Sequence, residues 1–208
     1  MRLLPPRALA AVFAAGLALS TTLTRAADPA AAETFIADLG QQVVSTLQRE
    51  DLTIEEAELQ FREVFRTNFD IPTIGQFALG RYWRVASPAQ REEFLILFEE
   101  SVVETYARRF TEYSGQSFRV SGSRAISERD VLVSTSILNA DGQLLVVIDW
   151  RVRERDPGFQ IIDVVVEQVS MGVTQRSDFN AVIQRGGGKV EVLLEALRQQ
   201  VQTAQRES

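Results

Sequence analysis

Residues 131–152 read VLVSTSILNADGQLLVVIDWRV, and this stretch decides the fold. Apolar and polar side chains alternate on both sides of Asn139-Ala140-Asp141-Gly142, a tetrapeptide typical of a hairpin turn. The apolar faces of the two flanking segments comprise Val131, Val133, Thr135, Ile137, Leu144, Val146, Ile148, Trp150 and Val152. The pattern predicts two antiparallel strands that share one apolar face.

Further strands are predicted on both sides of this hairpin. Residues 118–122 form a short strand-like segment before it. Residues 156–158, Asp-Pro-Gly, predict a turn after it, and residues 159–168 then predict a last strand. Four consecutive strands joined by short turns predict an antiparallel meander.

Helical signals occupy the chain before the strands. Residues 33–49 place apolar side chains at helical spacing. Thr53 and Glu56 form a capping box that opens a second helix. Pro72 and Gly80 mark the first turn and the end of a short third helix.

A long fourth helix is predicted to begin at residues 87–90, Ser-Pro-Ala-Gln, and to reach about Tyr113. Two more helices are predicted after the strands, over residues 177–185 and 189–202. Because helices and strands are segregated along the chain, the expected fold class is α+β. A curved sheet with helices on its concave side forms a cone, and such folds often keep a cavity.

The first 26 residues predict a cleaved secretory signal. Arg2 and Arg7 form a basic start, and the apolar segment that follows, residues 8–19, is too short to span a bilayer well. Cleavage after Ala26 would release the mature chain into the periplasm. We expect residues 27–32 to be a disordered lead and residues 33–204 to form one domain.

The composition excludes several classes of function. The predicted signal holds three of the 22 basic residues and none of the 28 acidic ones, so the mature chain carries a net charge of −9. Such a surface repels nucleic acids and anionic lipid headgroups. The sequence has no Cys and no His, so it cannot form a Ser-His-Asp or Cys-His site. We expect no catalytic residue, no metal and no cofactor.

Four stretches of the sequence are informative together, because of their order and spacing along the chain. They are residues 69–83, residues 87–115, Trp150 with residues 163–164 and 169–171, and residues 175–179 followed by a Leu-rich final helix. Together they resemble the MlaC, or toluene-tolerance, family of periplasmic phospholipid-binding proteins over residues 33–200. Gln168 stands where this family usually has Gly.

The resemblance implies a fold similar to nuclear transport factor 2, in which a curved four-stranded antiparallel sheet and helices enclose an apolar pocket. It implies a carrier that takes phospholipid acyl chains and maintains outer-membrane lipid asymmetry. The implied partners are an outer-membrane lipoprotein–porin complex and an inner-membrane ABC transporter with an MCE-domain ring. Some related proteins are associated with hopanoid biosynthesis, so a hopanoid is an alternative lipid.

A lipid carrier needs a large apolar pocket more than it needs polar chemistry. A two-chain lipid has roughly 30 methylenes, and exposing each of them to water costs about 0.8 kcal/mol. Exposing the whole lipid therefore costs on the order of 25 kcal/mol. The predicted pocket residues are Val64, Phe77, Trp83, Phe94, Phe98, Val102, Tyr106, Phe110, Val133, Ile137, Val146, Ile148, Trp150, Ile161, Val165 and Met171. The alternative is that the same side chains fill an ordinary core, as a helical aromatic stripe usually does.

Four arginines are candidates for contact with a docking partner or a lipid headgroup: Arg81, Arg84, Arg108 and Arg109. An ordinary solvated helix face is the alternative for each of them. Asp149 and Asp163 lie within predicted strands, which is unusual for Asp. They raise the hypothesis of a small enzyme acting on an apolar substrate such as a terpenoid, although a structural carboxylate is favoured. A third hypothesis is an adaptor that binds only proteins.

Overall fold

The structure is a computed structural model that describes residues 27–49, 51–110 and 115–207, without the side chains of residues 108–110, 204, 205 and 207. The predicted signal, residues 1–26, lies outside the described residues. The helices are α1 Pro29–Leu47, α2 Ile54–Asn68, α3 Ile71–Leu79, a 3₁₀ turn Gly80–Arg84, α4 Pro88–Phe110, α5 Met171–Arg185 and α6 Val190–Glu207. The strands are β1 Ser117–Ala125, β2 Asp130–Leu138, β3 Leu144–Glu154, β4 Phe159–Val166 and β5 Val169–Ser170.

The strands form one antiparallel sheet in the order β1-β2-β3-β4-β5, which confirms the predicted α+β class and the four-stranded meander. The fifth strand has two residues and was not predicted. It exists because the last predicted strand, residues 159–168, stops at Val166 and turns back. Glu167 and Gln168 make this turn with φ angles of 48° and 67°, in the left-handed region that favours glycine.

Three helix starts confirm the signals in the sequence. The side chains of Thr53 and Glu56 cap α2 reciprocally. The Ser87 Oγ accepts from the Gln90 amide at 3.2 Å, while the Gln90 side chain accepts from the Ser87 amide at 3.1 Å. Asp70 caps α3 by accepting from the amide of Thr73 at 3.0 Å.

Two helices start earlier than predicted, and the first corrects the expectation of a disordered lead. Asp28 accepts a hydrogen bond from the Ala30 amide and begins α1, with Pro29 in its first turn. Ala27 is buried, and its amide donates to the carbonyl of Glu128 at 2.8 Å. In the same way, the Ser170 side chain caps α5 at Met171, six residues before the predicted start at residue 177.

The helices and the sheet contribute to two separate hydrophobic cores. One core lies among α2 to α6 and is centred on Phe94, Phe98 and Phe179. The Phe179 ring packs edge to face against the other two rings, which are stacked on each other. The other lies where α1 crosses β1 and β2. The Phe69-Asp70 junction between α2 and α3 joins the edge of β4, since the Asp70 amide donates to the carbonyl of Ile161 at 2.9 Å. This junction holds the helical core beside the sheet.

An ion pair ties β2 to β3 at the end of the hairpin opposite its turn. Arg153 donates to the two carboxylate oxygens of Asp130 at 2.6 and 2.9 Å. These hydrogen bonds lower the pKa of the Asp130 carboxyl by more than burial raises it. Among the described residues, no helix is both long enough and apolar enough to cross a membrane.

Candidate functional site

The candidate site is an apolar cavity of about 420 Å³ between α1, α2 and the inner face of the sheet. Its walls come from both helices, the α2–α3 junction and strands β1 to β3. The lining residues are Ile36, Leu39, Gly40, Val43, Val44, Leu47, Phe61, Val64, Phe69, Gln116, Ser117, Phe118, Ile137, Leu145, Val146, Ile148 and Trp150. Gln116 and Ser117 are the only polar residues in this described lining, and none of it is charged.

The cavity has a closed end and a mouth. At the closed end, Ile36 and Leu39 are buried, with 1% and 8% of their surface exposed. At the other end, Leu145 is 53% exposed beside the turn between β2 and β3. Gln116 and Ser117 lie at the same end because Ser117 pairs with Leu138, the last residue of β2. The two polar lining residues therefore lie at the more exposed end of the cavity.

A hydrogen-bonded pair supports the inner wall of the cavity. The Trp150 Nε1 donates to the Thr135 Oγ1 at 2.9 Å, and this hydroxyl donates to the carbonyl of Ile148 at 2.9 Å. Thr135 is fully buried. The indole N–H is thus satisfied within the wall, so the ring presents apolar surface to the cavity.

Gly40 allows α1 to approach the sheet closely. The ring of Phe118 on β1 rests against the helix backbone at this glycine, and both residues line the cavity. Neighbouring positions of the same helix, Val43 and Val44, are only partly covered by the rest of the protein. An apolar ligand in the cavity would cover these side chains further.

Five of the residues predicted for the pocket lie in this cavity: Val64, Ile137, Val146, Ile148 and Trp150. Val133 and Ile161 are fully buried in the adjacent sheet core. Phe94, Phe98 and Val102 belong instead to the helical core, because α4 packs against α2 and α6 rather than against the sheet.

The remaining predicted pocket residues lie elsewhere. Val165 pairs with Asp149, on the face of the sheet opposite to Trp150. Met171 opens α5, and Tyr106 is half-buried on α4. The side chain of Phe110 lies outside the described residues, as do those of Arg108 and Arg109.

A second concavity collects the other two predicted pocket residues, Phe77 and Trp83. It has a volume of about 340 Å³ and is formed by α3, the 3₁₀ turn and α5. We call it the arginine cleft, and its lining residues are Gln76, Phe77, Gly80, Arg81, Trp83, Arg84 and Arg176. It shares no lining residue with the apolar cavity.

The two strand aspartates do not line the apolar cavity. Asp163 accepts hydrogen bonds from the Ser170 Oγ at 2.6 Å and from the Gly172 amide at 3.0 Å, so it joins β4 to the start of α5. Asp149 lies on the opposite face of the sheet from the cavity, since it neighbours Trp150 along β3. Asp163 thus fits the structural alternative. No acidic cluster that could hold a metal ion occurs among the described residues.

Sequence reasoning missed the contribution of α1 to the site. The apolar face of this helix was evident, but its six lining residues from Ile36 to Leu47 were assigned no role in the pocket. One signal could have found them. Gly40 interrupts the helix interior, where glycine is unfavourable unless close packing requires it.

Comparisons with known proteins agree with this architecture. A family model described as MlaC protein matches residues 37–199. The "Intermembrane phospholipid transport system binding protein MlaC" of Haemophilus influenzae is 24% identical over 137 residues, which cover 62% of this chain and 64% of that relative. The match therefore spans less than two thirds of the relative's length.

A solved structure shares the fold. It is the phospholipid-binding protein from Ralstonia solanacearum, determined in complex with a phospholipid. It superposes with a TM-score of 0.71 at 23% sequence identity, covering 83% of this chain and 98% of the other.

Proposed function

The chain belongs to the MlaC protein family, and on that premise we propose that it is a periplasmic lipid carrier that buries the acyl chains of a phospholipid in the apolar cavity. The observation that carries the proposal is the lining of this cavity. Its described walls combine apolar side chains from two helices and three strands with no charged group. Such a wall suits a hydrocarbon chain and suits few polar substrates.

The names of two similar proteins support this choice of ligand. The Haemophilus protein is named for intermembrane phospholipid transport, and the Ralstonia protein is described as phospholipid-binding. In the proposed complex the acyl chains lie between α1 and the sheet, and the headgroup lies at the mouth near Gln116 and Ser117. A headgroup in water needs few specific contacts, so one cavity would accept several headgroups. A hopanoid remains the alternative lipid.

The proposed carrier moves lipid between an outer-membrane lipoprotein–porin complex and an inner-membrane MCE-type ABC transporter, and so maintains outer-membrane lipid asymmetry. The net charge supports protein-mediated delivery. With a formal charge of −6 for the whole chain, the surface is repelled by anionic headgroups. Loading and unloading would then depend on contacts with docking proteins, for which Arg81, Arg84, Arg108 and Arg109 are the candidates.

The experiment that tests this function is native mass spectrometry of the protein purified from the periplasm without detergent, followed by lipid extraction. We expect a bound mass that matches a phospholipid at about one molecule per chain. A hopanoid mass would keep the carrier and change its cargo. A bare polypeptide that also takes up no lipid from phospholipid vesicles would contradict the proposal.

A further inference from the structure

The arginine cleft concentrates positive charge on an acidic protein. Three guanidinium groups line it, from Arg81 and Arg84 on the 3₁₀ turn and Arg176 on α5. No described carboxylate lies within ion-pair distance of any of them. Six other arginines of the described chain do have carboxylate partners: Arg49, Arg62, Arg66, Arg153, Arg155 and Arg198.

Local packing holds Arg176 in place without neutralising it. Its guanidinium lies over the ring of Phe77, 5.2 Å from the ring centre. Gly80, with a φ of 59°, leaves room for the same group, since a Cβ there would lie 2.8 Å from the Arg176 Nε. The side chain is therefore positioned before any ligand arrives, which lowers the entropy cost of binding.

The 3₁₀ turn that carries the other two arginines is also fixed. Arg91 of α4 donates to the carbonyl of Trp83 at 2.8 Å, and its guanidinium lies 5.4 Å from the centre of the Trp83 ring. Arg81 donates to the hydroxyl of Tyr82 at 2.9 Å. These contacts make the floor of the cleft rigid while Arg81 and Arg84 stay exposed.

Apolar side chains flank the cleft. Phe77 is 43% exposed, Val85 next to Arg84 is 72% exposed, and Val173 is 57% exposed. Val173 precedes Arg176 by three residues on α5, so the two share a helix face. Arginine and aromatic residues within an apolar surround are the composition of energetically important protein–protein contacts.

We propose that the arginine cleft is a docking site for an acidic segment of a partner protein, in which carboxylates meet Arg81, Arg84 and Arg176 and apolar side chains cover Phe77 and Val173. A protein segment can supply both carboxylates for the arginines and apolar side chains for the flanking residues. An anionic membrane is instead repelled by the net negative charge of the protein. Because the cleft shares no residue with the apolar cavity, docking leaves a bound lipid in place. The role of this site in lipid transfer rests on the proposed function, but the binding itself does not.

The two tryptophans of the chain allow a clean test, because Trp83 lies in the cleft and Trp150 lies in the cavity. In a Trp150→Phe background, Trp83 fluorescence reports on the cleft alone. The probe is a short synthetic peptide of alternating glutamate and leucine, and its control has glutamine in place of glutamate. We expect saturable binding of the glutamate peptide that weakens with salt, and no binding of the glutamine peptide.

Charge reversal then locates the site. Arg84→Glu and Arg176→Glu should each weaken binding by at least about tenfold. Arg124→Glu is the matched control, since Arg124 is exposed on β1, lines neither concavity and undergoes the same charge change. It should leave the affinity unchanged.

Three results would overturn the proposal. They are no binding of the glutamate peptide, an equal loss of affinity in Arg124→Glu, or an Arg84-dependent response of Trp83 to phosphatidylglycerol vesicles in place of the peptide. Native mass spectrometry of the same variants separates this inference from the carrier function. Bound lipid without peptide binding defeats the docking site alone, while peptide binding without any bound lipid supports the docking site and defeats the carrier.

Discussion

Gly40 of α1 and Phe118 of β1 are in direct contact, and no side chain larger than hydrogen fits between them. A Cβ at residue 40 would lie 3.0 Å from the Phe118 Cγ and would overlap two other ring carbons. Since both residues line the cavity, this contact sets how closely the helix approaches the sheet.

Gly40→Ala should therefore destabilise the protein, although alanine in place of a helical glycine ordinarily stabilises by about 0.5–1 kcal/mol. We expect a net loss of about 1–3 kcal/mol, because the added methyl must displace the ring or the helix. Urea unfolding measures the effect. Phe118→Ala in the same chain should relieve the clash, so the double variant should lose less than the sum of the single losses. Additive losses would contradict the contact.

Thr135→Val should lower stability by about 1–3 kcal/mol, because it leaves the Trp150 indole N–H without its acceptor inside the wall of the cavity. Denaturant unfolding checks this expectation. Adding Trp150→Phe removes the orphaned donor, so the double variant should recover part of the loss. If the double variant is simply additive, the two side chains are not coupled as described.

Val44→Asp should abolish lipid binding, because it places a carboxylate in an otherwise uncharged cavity wall. Gln41→Asp is the control, since it puts the same charge on an exposed position of the same helix. We expect Gln41→Asp to retain its lipid in native mass spectrometry and Val44→Asp to lose it while keeping its circular dichroism spectrum. Equal lipid content in the two variants would argue against this cavity as the binding site.

Acid should weaken the fold through Asp130. Hydrogen bonds from Arg153 hold its folded pKa below the ordinary value of 3.8, so the stability from this pair is fully present above that value. It is lost as the pH falls through the lowered folded pKa. Asp130→Asn should cost about 1–3 kcal/mol near neutral pH and should flatten the decline in stability below the ordinary Asp pKa.

The control for this prediction is Asp141→Asn, on the exposed turn between β2 and β3. It should leave both the stability near neutral pH and the acid decline as they are in the parent chain. A full decline in Asp130→Asn would mean that other carboxylates, such as Asp70 beside Arg155, account for it.

The sheet wall of the cavity was predictable because a strand repeats every two residues. Once Trp150 faces inward, Ile148 and Val146 must share its face. The hairpin turn and the helix caps were predictable for a similar reason, since each depends on a few neighbouring residues. Thr53 with Glu56 is one example.

The helical wall was not predictable from the same kind of pattern. An apolar stripe such as the one that contains Phe94 and Phe98 could line a pocket or fill a core. It fills a core because α4 packs against α6. The face of α1 around Val43 and Val44 is also apolar, yet it meets the sheet. Which helix covers a sheet is a tertiary choice that the period of a single helix does not encode.

The most direct test of the central claim asks where an acyl chain lies in the protein. Phospholipids brominated on the chain quench a tryptophan that they contact, and each site has one tryptophan. We predict that such a lipid, taken up from vesicles, strongly quenches Trp150 in a Trp83→Phe variant and leaves Trp83 fluorescence unchanged in a Trp150→Phe variant. Quenching of Trp83 with no quenching of Trp150 would place the acyl chain in the arginine cleft and contradict the proposed binding site.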